Sequence, residues 1–426
     1  MRFLFVHHNF PAQYLHVLRM LREGGHELVF ISRPSHNRMQ AVRHVEYWLD
    51  DALNPNTYAA ARSTEAALRR ADAVAEVAAQ LRAEGFRPDI IIGHHGWGEL
   101  LNLHDIWDSV PLLGYFEFFY RAHGLDVGFD PLIVTPPGSP ARVRAQNAVN
   151  LLALTNPGRG QTPTAFQRGT YPTIFHNQID IIPEGVDLDV CAPDPAARDA
   201  PLGLAAMARD PALAAALEGI AVQPGERLVT YVNMFLEPVR GMQTMMRALP
   251  RLLARPDIRV AIVGADDPNG YGPRLPNESW KAHFLREMHG QYDASRVHFL
   301  GAIDHENHLR LLRRSDCHVY LTYPFVLSWS LREALACGCA VVASDTPPLH
   351  EFIRPGWNGI LTPFFDHDAL AARVHDVLAD GALAATLRAN ARADAQERLS
   401  IAGTLDAYAA IINRLTGRDE VRPSGL

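Results

Sequence analysis

Cysteine is scarce in this chain of 426 residues: four are present, Cys191, Cys317, Cys337 and Cys339. They are too few, and too apolar in their surroundings, for a disulfide framework, and Cys337-Gly-Cys339 is not a metal-ligand spacing, so a reducing cytoplasm is the expected compartment. Positive charge is not in excess either. Forty Lys and Arg against 47 Asp and Glu leave a formal net charge of −7, which argues against a basic field that would gather polyphosphate backbones and against nucleic acid as a partner. Long apolar runs are missing: no stretch approaches the roughly 18–20 residues needed to span a bilayer, so any membrane contact is expected to be peripheral. The opening, Met1 to His8, has one Arg and a short apolar run without the longer apolar region and cleavage site of a signal peptide, and reads as a first strand. Low-complexity tracts are absent too. With 48% hydrophobic and 20% charged residues, the composition is that of an ordinary globular protein.

What is present is a repeated alternation of short β-branched runs and longer helical patterns, the signature of parallel sheets wrapped by helices. The first half predicts strands at Phe3–His7, Glu27–Ser32, Asp89–Gly93, Pro111–Phe116, Leu151–Thr155 and Asp180–Pro183, with helices near Tyr14–Glu23 and Ser63–Glu84. The pattern lapses into Pro, Asp and Ala over 191–225, which reads as a linker with some helix. It then restarts, with strands predicted at Arg227–Val232, Arg259–Gly264, Val297–Gly301, Cys317–Leu321 and Ala340–Ser344. The chain exceeds the size at which one core normally divides. The expected organisation is therefore a Rossmann-like domain over 1–190, the linker, a second over 226–399, and a terminal helix and tail over 400–426. In such doubly wound sheets ligands bind beyond the carboxyl ends of the strands, so two of them facing across a cleft would build a site from those loops.

The most informative segment is Tyr323-Pro-Phe-Val-Leu-Ser-Trp-Ser-Leu-Arg-Glu-Ala-Leu-Ala-Cys-Gly338. A loop after a strand feeds a helix here, where free backbone N–H groups and the helix dipole favour a diphosphate. Leu327, Ser328 and Trp329 are placed to offer those amides, and Glu333, about one turn in, is placed to accept both ribose hydroxyls. Glu333-Ala-Leu-Ala-Cys-Gly338 resembles the C-terminal signature of the retaining glycosyltransferases of family 4, whose fold is GT-B. In that family another glutamate stands eight positions earlier, where this chain has Phe325. Asn233-Met-Phe-Leu-Glu-Pro-Val-Arg-Gly241 is similar to the family's diphosphate loop, with Arg240 at its lysine position. A guanidinium can grip phosphate in bidentate fashion.

The resemblance extends from Met1 to about Leu415 and implies further roles. Gly264, Leu300 and Ile303 would lie on the base side, and Glu351 would line the nucleotide end or start a helix. Ala12 and Gln13 stand in place of a glycine pair near the phosphates. His95 and Trp97, in His94-His-Gly-Trp-Gly-Glu99, match a histidine-bearing turn. Phe116-Glu-Phe-Phe-Tyr-Arg-Ala-His123 offers rings and hydrogen-bonding groups for sugar, with Glu117 and Arg121 as contacts and His123 as the catalytic-side histidine beside the donor sugar. Arg240 and Glu333 complete the catalytic set, and Phe325 borders the sugar. No metal or other cofactor is expected, since the acids and histidines show no paired ligand spacing.

The function the resemblance implies is transfer of a sugar, with retention, from a nucleoside-diphosphate sugar to a glycan or other glycoconjugate. Two alternatives stay open: a non-catalytic sugar-nucleotide-binding protein of the same fold, and a GT-B epimerase or phosphorylase. A nicotinamide dehydrogenase is disfavoured, because neither half shows a clean Gly-x-Gly-x-x-Gly after its first strand.

Overall fold

A computed structural model describes residues 1–50, 52–267 and 270–423. The chain divides into two compact units, Met1–Glu184 with Ile401–Leu426, and Gly185–Ser400.

The first unit is built on a seven-stranded sheet of β1 (Arg2–Val6), β2 (Glu27–Ser32), β3 (Val42–Glu46), β4 (Ile90–His94), β5 (Leu112–Tyr115), β6 (Arg159–Thr162) and β7 (Ile179–Ile181). The order is β3-β2-β1-β4-β5-β6-β7, parallel throughout. The order reverses between β1 and β4, so the loops following these two strands open the ligand-binding edge of a doubly wound sheet. Central strands such as Phe3-Leu-Phe-Val6 and Ile90-Ile-Ile92 are buried on both faces, which is why they read as unbroken apolar runs.

In the second unit, β8 (Leu202–Gly203) and β9 (Ala221–Val222) form a small antiparallel ribbon beside a six-stranded sheet. That sheet contains β10 (Arg227–Phe235), β11 (Ile258–Ala265), β12 (Val297–Gly301), β13 (Cys317–Tyr320), β14 (Val341–Ser344) and β15 (Ile360–Thr362). Its order, β12-β11-β10-β13-β14-β15, is again all parallel and reverses beside β10. The segment 191–225, read from composition as a linker, is part of this unit. Leu202, Leu204, Met207, Leu217 and Val222 are buried in one cluster with Leu228, Ala261 and Leu300. The helix Ile401–Thr416, by contrast, packs in the first unit.

One predicted strand is a helix. Leu151–Thr155 forms the last turns of the helix Ser139–Thr155, with Leu151 and Leu152 40% and 46% exposed and Ala153 and Leu154 buried. That one-sided burial suits a helix face; a strand at the centre of a parallel sheet would hide both faces. The strand itself follows as β6, whose polar Arg-Gly-Gln-Thr sequence carries no apolar signal. Among the described residues no helix is long and apolar enough to cross a membrane.

Candidate active site

Beyond β10 the chain turns through Pro238–Arg240 into the helix Met242–Leu252. Gly241 makes that turn with φ 77°, and a Cβ there would lie 2.4 Å from the Cβ of Leu321, so only glycine fits. The turn buries Arg240. Its Nη1 donates to Thr322 Oγ1 at 2.9 Å and to the Val326 carbonyl at 2.8 Å, tying it to the loop that follows β13. The guanidinium carbon lies 5.2 Å from the ring centre of Tyr271 and 5.8 Å from that of Phe325, and the two rings pack 5.6 Å apart. Phe325, standing where a carboxylate was expected, therefore gives Arg240 an aromatic partner in place of a second acid. Tyr271 is held by Glu237, a buried carboxylate that accepts from the Tyr271 and Gly272 amides at 3.0 and 2.7 Å. Burial pushes this carboxyl up, and those two N–H groups and Arg240 pull the other way. Glu237 and Tyr271 carried no sequence signal, because the contact joins two loops distant in the chain.

The loop after β13 enters the helix Trp329–Ala336, capped by the Ser328 side chain, which accepts from Ser330 N. One of the three expected phosphate-facing amides is not available as expected: Ser328 N donates to Tyr320 Oη at 2.7 Å. Leu327 is buried in the core and Trp329 is half exposed. One turn in, Glu333 lies under the helix His305–Arg314. His305 Nε2 is 2.7 Å from Glu333 Oε1, and His308 Nε2 is 3.0 Å from Oε2. Burial alone would raise this carboxyl, but the hydrogen bonds with His305 and His308 outweigh it and bring it down to about 2. Hydrogen bonds to the Cys191 thiol and to Glu333 lift His305 to about 10, against burial. Each Glu333 oxygen retains a second acceptor site, so engaged histidines and ribose hydroxyls are compatible. The signal for the pair was present: two histidines three apart, just after the helix cap Asp304, lie on one helix face.

Of the base-side residues, Gly264 lies near the end of β11 and Leu300 is a fully buried core residue of β12, which leaves its backbone alone to meet a ligand. Ile303 is partly buried against the same core. Glu351 ends the turn Pro347–Glu351, where its carbonyl accepts from Arg398.

In the first unit, the loops after β1, β4 and β5 gather a different set. His94 stacks on Trp97, ring centres 4.5 Å apart, and on Tyr115 at 5.2 Å. His7 meets the edge of both His94 and Trp97, and Glu117 Oε2 lies 3.7 Å from His94 Nε2. The histidine singled out from the sequence, His95, is not in this group. Strand alternation turns it into the core against Phe116, and a Cβ on Gly114 would lie 2.0 Å from its ring; burial lowers it to about 3. Its neighbour His94, also buried, is the histidine that joins the group around Trp97, Tyr115 and Glu117. Arg121 reaches the Gly169 carbonyl and His123 lies on an exposed loop. Ala12 takes φ 51°, in the left-handed region that glycine favours, and Gln13 follows it in the same short turn.

A model of the glycosyl transferase family 4 group matches residues 24–191, and one of glycosyl transferases group 1 matches residues 218–394. The chain belongs to glycosyltransferase family 4, group 1. It is 34% identical over 179 residues to phosphatidyl-myo-inositol mannosyltransferase of Mycolicibacterium smegmatis, covering 41% of this chain and 40% of that protein. It is 29% identical over 207 residues to D-inositol 3-phosphate glycosyltransferase of Mycobacterium sp., covering 48% of this chain and 40% of that protein. The chain thus spans about 40% of the length of these curated relatives. Among solved structures, sucrose-phosphate synthase from Thermosynechococcus elongatus superposes with a TM-score of 0.71 at 19% identity, over 98% of this chain and 99% of that one. Anabaena HepE in complex with UDP gives 0.65 at 16%, over 97% and 100%. At these identities the likeness is one of fold, GT-B, with its two parallel-sheet α/β domains.

Within this family 4 chain the group 1 match contains Arg240, Phe325, the 327–329 loop, Glu333 and both histidines that hold it. Cys191 is the last residue of the other match. Among the described residues one group has the ligand types and closeness to hold a metal ion: Cys191, His305 and Glu333, with ligand atoms all within 4.8 Å of one another. Because its members come from three separate segments, no motif spacing revealed it.

Proposed function

We propose that this protein transfers a sugar from a nucleoside-diphosphate sugar to a glycan or other glycoconjugate, with retention of configuration and no metal in the transfer step. The observation that carries the reading is Arg240, buried, fixed by Thr322 and Val326, and flanked by rings. A desolvated guanidinium beside a helix entry is suited to the charge that develops on a departing diphosphate. Glu333, ionised and oriented, would accept the ribose hydroxyls. In the step itself the bond from the anomeric carbon to the diphosphate breaks and the acceptor oxygen bonds to that carbon on the same face. The acceptor proton passes to a diphosphate oxygen, so little side-chain chemistry is required. On the acceptor side, His94, Trp97 and Glu117 supply a stacking surface and hydrogen-bonding groups, with Arg121 and His123 nearby in sequence. The names of the two curated relatives support an inositol-bearing or similar glycoconjugate acceptor. Four unpaired, buried cysteines support a cytoplasmic setting, with any membrane contact peripheral.

The test is a screen of UDP-, GDP- and dTDP-sugars for released nucleoside diphosphate, followed by variants on the active donor. Arg240→Ala is expected to lower kcat/KM by roughly 100- to 1,000-fold, the size of losing one preorganised charge-stabilising donor, and Glu333→Ala to weaken donor binding. Unchanged kinetics in both variants would remove the site, and nucleotide binding without turnover of any donor would replace the enzyme reading with a binding protein.

A further inference from the structure

The geometry points to a second ligand for this site: a zinc-class divalent cation held by Cys191 Sγ, His305 Nε2 and Glu333 Oε1, competing with the nucleotide for Glu333. One ligand atom from each residue lies within 4.8 Å of the other two, and His305 Nε2 is 2.7 Å from Glu333 Oε1, a spacing that small movements would close around one ion. Thiolate, imidazole and carboxylate together select a borderline ion such as Zn²⁺ and not Mg²⁺ or Ca²⁺, and three protein ligands leave a fourth position open. Two ligands are built to stay in place. Cys191 lies on a segment pinned by Arg392, which donates to the Cys191 and Leu188 carbonyls at 2.7 and 3.0 Å, and by Arg313, which donates to the Val190 and Ala192 carbonyls. Glu333 is oriented by His308 on its other oxygen, the outer-shell support typical of a metal-binding carboxylate. His305, more than half exposed, is the ligand free to adjust. Competition follows because a cation on Oε1 neutralises the Glu333 carboxylate and draws its electron density, which weakens it as an acceptor for the ribose hydroxyls; this part depends on the donor reading above.

The full chain, stripped with EDTA, is titrated with Zn²⁺ and, as a spectroscopic probe, Co²⁺. One ion per chain is expected, with thiolate-to-cobalt absorption in the near ultraviolet. Cys191→Ser and His305→Ala should abolish both. His308→Ala should weaken binding by roughly 10- to 100-fold, the cost of an outer-shell partner. His305→Ala, at an exposed position, keeps the test decisive if Cys191→Ser fails to fold. Absence of stoichiometric binding, or binding indifferent to both substitutions, overturns the site. In the second arm UDP and GDP are titrated with and without Zn²⁺: the cation should weaken nucleotide binding in the unmodified protein and not in His305→Ala. Nucleotide affinity that ignores bound Zn²⁺ overturns the competition. Nucleotide that fails to bind even the metal-free protein overturns the donor reading and leaves the cation site to be decided by the first arm.

Discussion

Ala12 holds a left-handed backbone, φ 51°, at the loop after β1, a conformation that costs a residue with a Cβ roughly 1–2 kcal/mol. Replacing it with glycine relieves that strain and returns about 0.4–1 kcal/mol of unfolded-state entropy. Ala12→Gly is therefore expected to be neutral or to stabilise by up to about 1 kcal/mol, where alanine-to-glycine changes usually destabilise; a loss of more than 1 kcal/mol in urea unfolding would contradict it. His95 supplies a second test. Its native pKa of about 3 lies below the unfolded value near 6.5, so on acidification the unfolded chain takes up the proton first. Its contribution is intact above pH 6.5 and is lost progressively as pH falls toward 3, about 2 kcal/mol by pH 5. His95→Phe keeps a ring against Phe116 and removes the titration. Between pH 6.5 and 5 the variant should gain on the parent by about that amount, whatever its stability at neutral pH; parallel urea midpoints would rule this out. Sequence could place a histidine after β4 but could not choose between His94 and His95, since the choice is made by which face of the strand meets Phe116. Arg240 and Glu333 were legible because each sits at a fixed distance from a strand end. Their partners Tyr271, His305 and His308 come from other segments.

The helix Met242–Leu252 depends on the turn before it. Gly241→Ala would force φ 77° on a residue with a Cβ and drive that atom to 2.4 Å from Leu321, so either the turn or the end of β13 must move. A loss of roughly 2–4 kcal/mol is expected, combining left-handed strain with overpacking, together with weakened nucleotide binding, because Arg240 is the preceding residue. Thermal unfolding and UDP or GDP titration check it; a variant with unchanged melting and binding would show that the turn has room it does not display here. Secondary structure was legible wherever apolar runs were buried on both faces, as in β1, β4, β10 and β11. It failed at Leu151–Thr155 and at β6 for one shared reason. The apolar residues there belong to a helix face, held by Asn147 and Asn150 against the Tyr120 and Phe118 carbonyls, while the strand that follows is short and polar.

The chain leaves its first unit at Glu184 and returns to it at Ile401, so the last helix completes a core begun some four hundred residues earlier. Composition could not show this, since an amphipathic helix at a terminus suits either unit. Leu405, Tyr408, Ile411, Ile412 and Val421 are buried with Phe3, Phe5, Leu18 and Ile92, the Tyr408 hydroxyl accepts from Gln161 Nε2 at 2.9 Å, and Thr404 Oγ1 donates to the Pro183 carbonyl. Four of these side chains, Leu405, Ile411, Ile412 and Val421, contribute about 6–12 kcal/mol as an upper estimate, as much as the whole stability of a typical domain. A chain ending at Ser400 should therefore lose the fold of residues 1–184 while keeping that of 185–400, whose own end is secured by the Val186–Ser400 bridge and the Val186 N to Leu399 carbonyl hydrogen bond at 2.8 Å. Limited proteolysis of that shortened chain is expected to digest the N-terminal half and leave a resistant fragment near 185–400 that still binds the nucleoside diphosphate. A protected N-terminal half, melting as in the full chain, would mean that the sheet β3-β2-β1-β4 closes its core without the returning helix.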